Sequence, residues 1–348
     1  MSRRAVTLAV ASALVLVLVV VGAVLPVPYV ALMPGPTTNT LSNNDKGVPL
    51  VQIEGRQTYP DSGNLNFTTV TYRGGPEARI DLFTALRGWL SSDTAIVPEE
   101  TIFPKHESQQ QVDAENTRQM QDSQQNAEAA ALHELGIAVP TRVVVNSVQQ
   151  GKPAAAQLKP NDEITAVNGV KTGTVAQVKA EMNKVGVGGK AALDLLRDNK
   201  PAKAALTTVA GQDGKPVVGM VLSEDYKFPF KINISVGDVG GPSAGLMFSL
   251  SIVDKLTPQS LTGGKFIAGT GTITPEGQVG PIGGIGQKMI AARRAGATIF
   301  LTPKDNCAEA LGARPKGLRL VRADTLHGAI QSLDAINSGK GDVPACSK

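Results

Sequence analysis

The sequence predicts an α+β multidomain chain: an N-terminal transmembrane helix, a small β-rich membrane-proximal region, and two further domains in which strands alternate with helices. Three observations predict it. Residues 5–25, AVTLAVASALVLVLVVVGAVL, carry no charge; β-branched, partly alternating runs broken by glycine and proline recur from residue 48 to residue 234; and apolar side chains return at helical spacing behind glycine-rich loops. The 348 residues suffice for two or three domains of about 100–150 residues each. A hydrophobic content of 42% and 18% charge exclude disorder along the whole length, and an aromatic share of only 4% describes cores built from Val, Leu, Ile and Ala. The net charge of +4, with no Lys/Arg tract, argues against nucleic acid as a partner.

At 1.5 Å per helical residue, residues 5–25 span about 30 Å, the thickness of a bilayer's hydrocarbon core. A cleaved signal peptide is the alternative, but the apolar stretch is long for one and Pro26, Val27, Pro28 and Tyr29 follow without an A-x-A-like site. Arg3 and Arg4 place the N-terminus in the cytoplasm. The expected plan is therefore a cytoplasmic tip at 1–4, an anchor at 5–27 that meets the lipid bilayer through 5–25, and everything beyond it outside the cytoplasm of a single-pass cell-membrane protein. In such a compartment Cys307 and Cys346, the two cysteines, can persist as a disulfide; two unpaired thiols are the equal alternative, because spacing alone does not fix their separation.

Residues 28–104 read as a membrane-proximal β-rich region, with strands at 48–55 and 65–75 and an amphipathic helix within 81–97 that stops near Pro98. Residues 105–135 hold seven glutamines and read as a helical, solvated connector. From 136 to 210 short strands alternate with two helices around GKPAAAQLKPNDEITAVNG. That string resembles bacterial PDZ domains: Pro153 and Ala154 open a short helix, Leu158 packs inward, Asn161 and Asp162 turn, and Ile164 and Val167 enter a strand that ends at Asn168-Gly169. The resemblance implies binding of extended peptides or C-termini by strand addition. It places the carboxylate loop at Leu135, Gly136 and Ile137, although Gly136 reads equally well as the C-cap of the Gln-rich helix.

Residues 211–340 carry the chemistry, ahead of a tail at 341–348. In DVGGPSAGLMFSLSIVDKL, Pro242 suits a first helical turn, and Leu246, Leu250 and Val253 recur on one face. Ser243 then sits where a glycine-rich loop meets a helix N-terminus, whose amides and dipole favour negative charge. Its hydroxyl needs a base. Of the three histidines, His106 and His133 fall in or beside the Gln-rich segment and His327 in the C-terminal helix, none within a triad motif. A lysine depressed from its usual pKa by burial is the remaining candidate.

The run GTGTITPEGQVGPIGGIGQKMIAARRAG, residues 269–296, together with GPSAG at 241–245, resembles the proteolytic domain of Lon-type serine peptidases, and the order anchor, PDZ, peptidase resembles membrane-anchored PDZ-plus-Lon proteases of Gram-positive bacteria. The resemblance implies a C-terminal α/β domain of the ribosomal-protein-S5-domain-2-like type. It assigns the nucleophile to Ser243, the base to Lys288, an orienting hydrogen bond on the lysine amine to Thr270, and oxyanion donors to the main chain near Gly240, Gly241 and Ser243. It also implies a homo-oligomer, a hexameric ring. Where many Lon domains have an acid three residues before the serine, this chain has Gly240; Asp238 is the nearest acid and is assigned no chemical role.

The sequence contains no G-x-x-x-x-G-K-[ST] string, so the expected enzyme is an ATP-independent serine endopeptidase that needs no metal or cofactor and cleaves unfolded or exposed segments of extracytoplasmic or membrane proteins. The PDZ domain would select those protein or peptide substrates or gate their access. Two other readings stand beside it: a catalytically inactive tethered PDZ adaptor, suggested by Gly240, and a phosphate cradle at GGPSAG, which the extracytoplasmic location opposes.

Overall fold

The computed structural model describes residues 3–43, 47–60, 62–105, 107–211 and 214–347. Helix α1 (Arg3–Val24) leaves its apolar side chains uncovered and is long and apolar enough to cross a membrane. It leads into strand β1 (Tyr29–Asn39), followed by β2 (Val51–Glu54), β3 (Asn64–Arg73), helix α2 (Leu82–Trp89), β4 (Ala95–Pro98) and the long helix α3 (Gln109–Glu134). Asp81 caps α2 by accepting from the Thr84 amide, and Ser108 with Gln111 forms a capping box at the start of α3.

A compact unit of residues Ala138–Pro229 comes next in the chain. Its sheet runs β8-β7-β6-β5-β9, built from β5 (Thr141–Val148), β6 (Glu163–Val167), β7 (Lys190–Arg197), β8 (Lys200–Thr207) and β9 (Met220–Tyr226), with helix α4 (Val175–Val185) packed on it. Pro153–Ala156 forms a short 3-10 helix, Leu158 is buried, and Asn161 takes a left-handed turn into β6. Buried Asp162 accepts bonds of 2.8 and 2.7 Å from the Arg197 guanidinium. Burial alone would raise its pKa, but Arg197 and the Lys159 amide hold the carboxyl below its ordinary value.

The chain then returns to the first unit, Met1–Ile137 with Phe230–Lys348. There it adds β10 (Lys231–Ile234), α5 (Gly245–Leu256), β11 (Phe266–Gly269), α6 (Ile285–Ala295), β12 (Ile299–Pro303), α7 (Cys307–Gly312), β13 (Arg319–Ala323) and α8 (Leu326–Ser338). The main sheet has the order β13-β12-β11-β3-β1-β4, parallel from β13 to β3 and antiparallel beyond. Phe67 of β3 meets Phe248 of α5 edge-on, with ring centroids 5.5 Å apart. Cys307 and Cys346 are disulfide-bonded, and the Arg322 amide donates to the Pro344 carbonyl, so the tail lies along β13.

Four expectations from the sequence are corrected here. Residues 28–104 do not form a separate domain: β1, β3 and β4 complete the same sheet as β11, β12 and β13, and β3 is one of its inner strands. Residues 211–340 are correspondingly not a self-contained peptidase domain, and β9 belongs to the sheet of the 138–229 unit. Strand pairing across some 200 positions, as between Thr68 and Gly269, leaves no local trace in a sequence. Nor is α3 a solvated connector. Val112, Met120, Ser123, Ala127, Ala130, Ala131 and Leu132 are buried, the small ones letting α3 close on α5, while Gln110, Gln111, Gln121 and Gln125 are exposed. Finally, the amphipathic helix ends at Trp89, and residues 95–98 pair with β1 as β4.

Candidate active site

Ser243 sits in a half-buried turn just ahead of α5, which begins at Gly245 and not at Pro242. The delay has a cause. The Ser243 carbonyl accepts from the Gly271 amide and from the Thr270 hydroxyl, both at 2.9 Å, and so is withdrawn from the helical ladder. The loop before it is held by α3: the Gly241 amide donates to the Asn116 carbonyl at 2.8 Å, and the Ser123 hydroxyl donates to the Pro242 carbonyl at 3.0 Å. A Cβ on Gly240 would stand 2.9 Å from the Asn116 Cβ, so glycine is what lets loop and helix approach. Beside Pro242 a recess of about 170 Å³ opens, walled by Ser123 and Asn126 of α3 and by Thr272 and Ile273.

Lys288 lies in the first turn of α6. Gly284 caps that helix in the left-handed region, φ +69°, against Val70 of β3, and the Asn306 side chain fixes the preceding loop by bonding both the amide and the carbonyl of Ile282 at 2.9 Å. The lysine is 3% exposed, between fully buried Ile285 and Met289. Its Nζ lies 3.0 Å from Ser243 Oγ and 2.6 Å from the Thr68 carbonyl of β3, and no carboxylate pairs with it among the described residues. Burial pushes its pKa from 10.5 down to about 8. A neutral amine in this place donates to Thr68 and turns its lone pair to the serine hydroxyl.

The fold thus brings Ser243 and Lys288 together across 45 positions, and places their companions differently from the sequence expectation. Thr270 is fully buried, but its hydroxyl holds the Ser243 carbonyl and makes no hydrogen bond to Lys288. The lysine amine donates to the Thr68 carbonyl instead. Gly241 cannot serve as an oxyanion donor, since its amide is committed to Asn116; the amides of Ser243 and Ala244 have no intramolecular acceptor among the described residues. Asp238 is exposed and bonds neither Ser243 nor Lys288. His133 Nδ1 donates to the Pro275 carbonyl, His327 meets Glu134, and His106 lies outside the described residues.

Leu135, Gly136 and Ile137 close α3. The amides of Gly136 and Ile137 donate to the carbonyls of His133 and Leu132, with Gly136 left-handed at φ +69°, so these two amides are spent on the helix end and not free to bind a carboxylate. The sequence reading missed Thr68, Asn116 and Ser123. A backbone carbonyl such as that of Thr68 has no sequence signature. Asn116 and Ser123 did leave one, as polar residues at helical spacing within the stripe that contains Met120 and Ala127.

Comparison with known proteins finds two families along the chain, with bounds that differ from those of the two compact units. Residues 202–323 match the family model of the Lon protease (S16) C-terminal proteolytic domain, and residues 112–208 match that of the PDZ domain. Lon protease 1 of Bacillus subtilis is 34% identical over 115 residues, 32% of this chain and 14% of that protein. Lon protease of Halothermothrix orenii is 30% identical over 149 residues, 43% of this chain and 18% of that protein. The chain therefore spans less than a fifth of the length of these relatives. Among solved structures, the PDZ domain of an SdrC-like protein from Listeria monocytogenes is similar at 25% identity and a TM-score of 0.22, covering 23% of this chain and 85% of that one. Behind its N-terminal apolar helix, the chain carries a domain of the Lon C-terminal proteolytic type together with a PDZ domain.

Proposed function

We propose that this chain is a membrane-anchored serine endopeptidase that works without ATP on unfolded or exposed segments of extracytoplasmic or membrane proteins. The observation that carries the proposal is the 3.0 Å contact between Ser243 Oγ and a buried Lys288 that has no counter-ion among the described residues. Ser243 Oγ attacks the scissile carbonyl carbon while its proton passes to Lys288 Nζ. The amides of Ser243 and Ala244, at the positive end of α5, stabilise the oxyanion. Lys288 then returns the proton to the departing amine, leaving an acyl-enzyme, and repeats the transfer with water to release the new carboxylate and free serine.

The recess beside Pro242 takes a substrate side chain, and the PDZ unit selects substrates or gates their access. Helix α1 spans the membrane with Arg3 and Arg4 on the cytoplasmic side. The active form is a ring of like chains, a hexamer by resemblance to Lon-type domains; native mass analysis of the detergent-solubilised protein tests this. The central test is cleavage of an unfolded protein by the full chain without nucleotide. Ser243→Ala and Lys288→Met, both folded, should each abolish cleavage. Unchanged cleavage by either would overturn the assignment, and a requirement for ATP would overturn the energy-independent reading.

A further inference from the structure

The exposed side of α2 is apolar where a surface helix is ordinarily polar. Its inner side is made of small residues, Ala85 and Gly88, the latter closed upon by Ile96 of β4. Facing out are Phe83, Leu86, Trp89 and, at the C-cap, Leu90. Phe83, Leu86 and Leu90 recur at helical spacing and form one stripe. Leu90 is 90% exposed, more than any large apolar side chain of α1. Such a stripe normally has a cover.

Its position says what covers it. The Phe83 ring packs on Gly22, the one buried residue of α1 and two residues from that helix's end, or about 3 Å along its axis. Only four residues separate α1 from β1, whose first residue, Tyr29, meets the Trp89 ring edge-on with centroids 5.4 Å apart. Phe83, Tyr29 and Trp89 thus gather at the level where α1 leaves the hydrocarbon, the depth at which membrane proteins concentrate amphipathic aromatic rings. Arg87 is exposed on the same helix, has no ion-pair partner among the described residues, and can reach lipid phosphates.

We propose that α2 is an interfacial helix: Phe83, Leu86, Trp89 and Leu90 insert into the headgroup boundary of the same bilayer that α1 spans, and seat the peptidase unit on the membrane surface. The bilayer is preferred to a protein partner because the stripe is continuous with the membrane span itself. The inference rests on the reading of α1 as a membrane anchor, and its test separates the two.

Trp89 is the sole tryptophan, so the intrinsic fluorescence of the full chain reports this site alone. The chain is reconstituted in phosphatidylcholine–phosphatidylglycerol vesicles whose acyl chains are brominated either near the headgroup or near the terminal methyl. The expected result is loss of about half of the Trp89 emission with shallow bromine and a smaller loss with deep bromine, as suits a helix lying 5–10 Å into the interface. Leu86→Asp with Leu90→Asp, both at exposed positions, should remove most of that quenching while the chain still resists alkaline extraction. Emission indifferent to bromine in a chain that resists extraction would sink the inference and leave the anchor standing. Emission indifferent to bromine yet shielded from aqueous acrylamide would mean that a protein covers the stripe, which also overturns it. Release of the chain by alkaline extraction would overturn anchor and inference together.

Discussion

Lys288 Nζ donates a 2.6 Å hydrogen bond to the main-chain carbonyl of Thr68, 220 positions earlier in the chain. A carbonyl accepts from a neutral amine as well as from an ammonium, so it can aim the nitrogen without demanding a charge on it. A carboxylate in the same place would keep the lysine protonated. The strand that delivers Thr68 is thereby as much a part of the site as the glycine-rich loops.

The first prediction concerns activity and pH. Lys288 acts as a base only when neutral, and burial sets its pKa at about 8. We expect kcat/KM for an unfolded substrate to rise about tenfold per pH unit well below that value and to level off above it. Labelling of Ser243 by a serine-directed covalent probe should follow the same curve. A profile flat from pH 6 to pH 9 would rule out Lys288 as the base.

A second prediction follows for stability, with the sign opposite to that of a salt-bridged lysine. The folded pKa lies below the unfolded value near 10.5. Between about pH 8 and 10.5 the unfolded state therefore binds more protons, and stability rises with pH across that window. Below it the buried amine costs up to about 3 kcal/mol. Lys288→Met removes this cost, offset by about 1–3 kcal/mol for the unpaired Thr68 carbonyl. The clean readout is the slope: denaturant titrations from pH 7 to pH 10 should show the parent gaining stability relative to the variant.

A third prediction tests the hold of α3 on the nucleophile loop. Gly240→Ala drives a methyl against Asn116, and Ser123→Ala removes the bond to the Pro242 carbonyl. Since a misplacement of about 1 Å can cost on the order of a hundredfold in rate, Gly240→Ala should lower kcat by ten- to a hundredfold with a smaller change in KM. Ser123→Ala, worth about 1 kcal/mol, should lower kcat by a factor of about five. Steady-state kinetics decide; unaltered kcat in both would show that α3 does not position the loop.

The fourth prediction concerns the Cys307–Cys346 bond, which spans 39 positions and ties the tail beside β13. Cys346→Ser should lower the unfolding free energy by about 2–4 kcal/mol. Reductant should lower the parent's unfolding free energy by a similar amount and leave that of the variant unchanged.

Much of the local structure around this site is legible in the sequence. The resemblance carried by GPSAG and PIGGIGQK pointed to Ser243 and Lys288, and the fold brings their side chains within 3.0 Å of each other. The 138–229 unit is legible for a local reason: Pro153, Leu158, Asn161 and Ile164 lie within a dozen residues of one another, and each takes the turn, burial or strand position its chemistry favours.

What the sequence alone determined, then, were locally encoded features: the uncharged apolar span of α1, the glycine-rich loop that leads into α5, and the short helix, buried leucine and left-handed turn at 153–161. What only the tertiary structure decided was long-range. It made residues 28–104 part of the peptidase sheet, turned a glutamine-rich helix into the support of the nucleophile loop, moved Thr270 from the lysine to the Ser243 carbonyl, and gave the lysine to Thr68. Hydrogen bonds between backbone groups are the same for every residue type. Which of them meet is set by how a buried sheet closes its pairing over hundreds of positions, and no single residue records that.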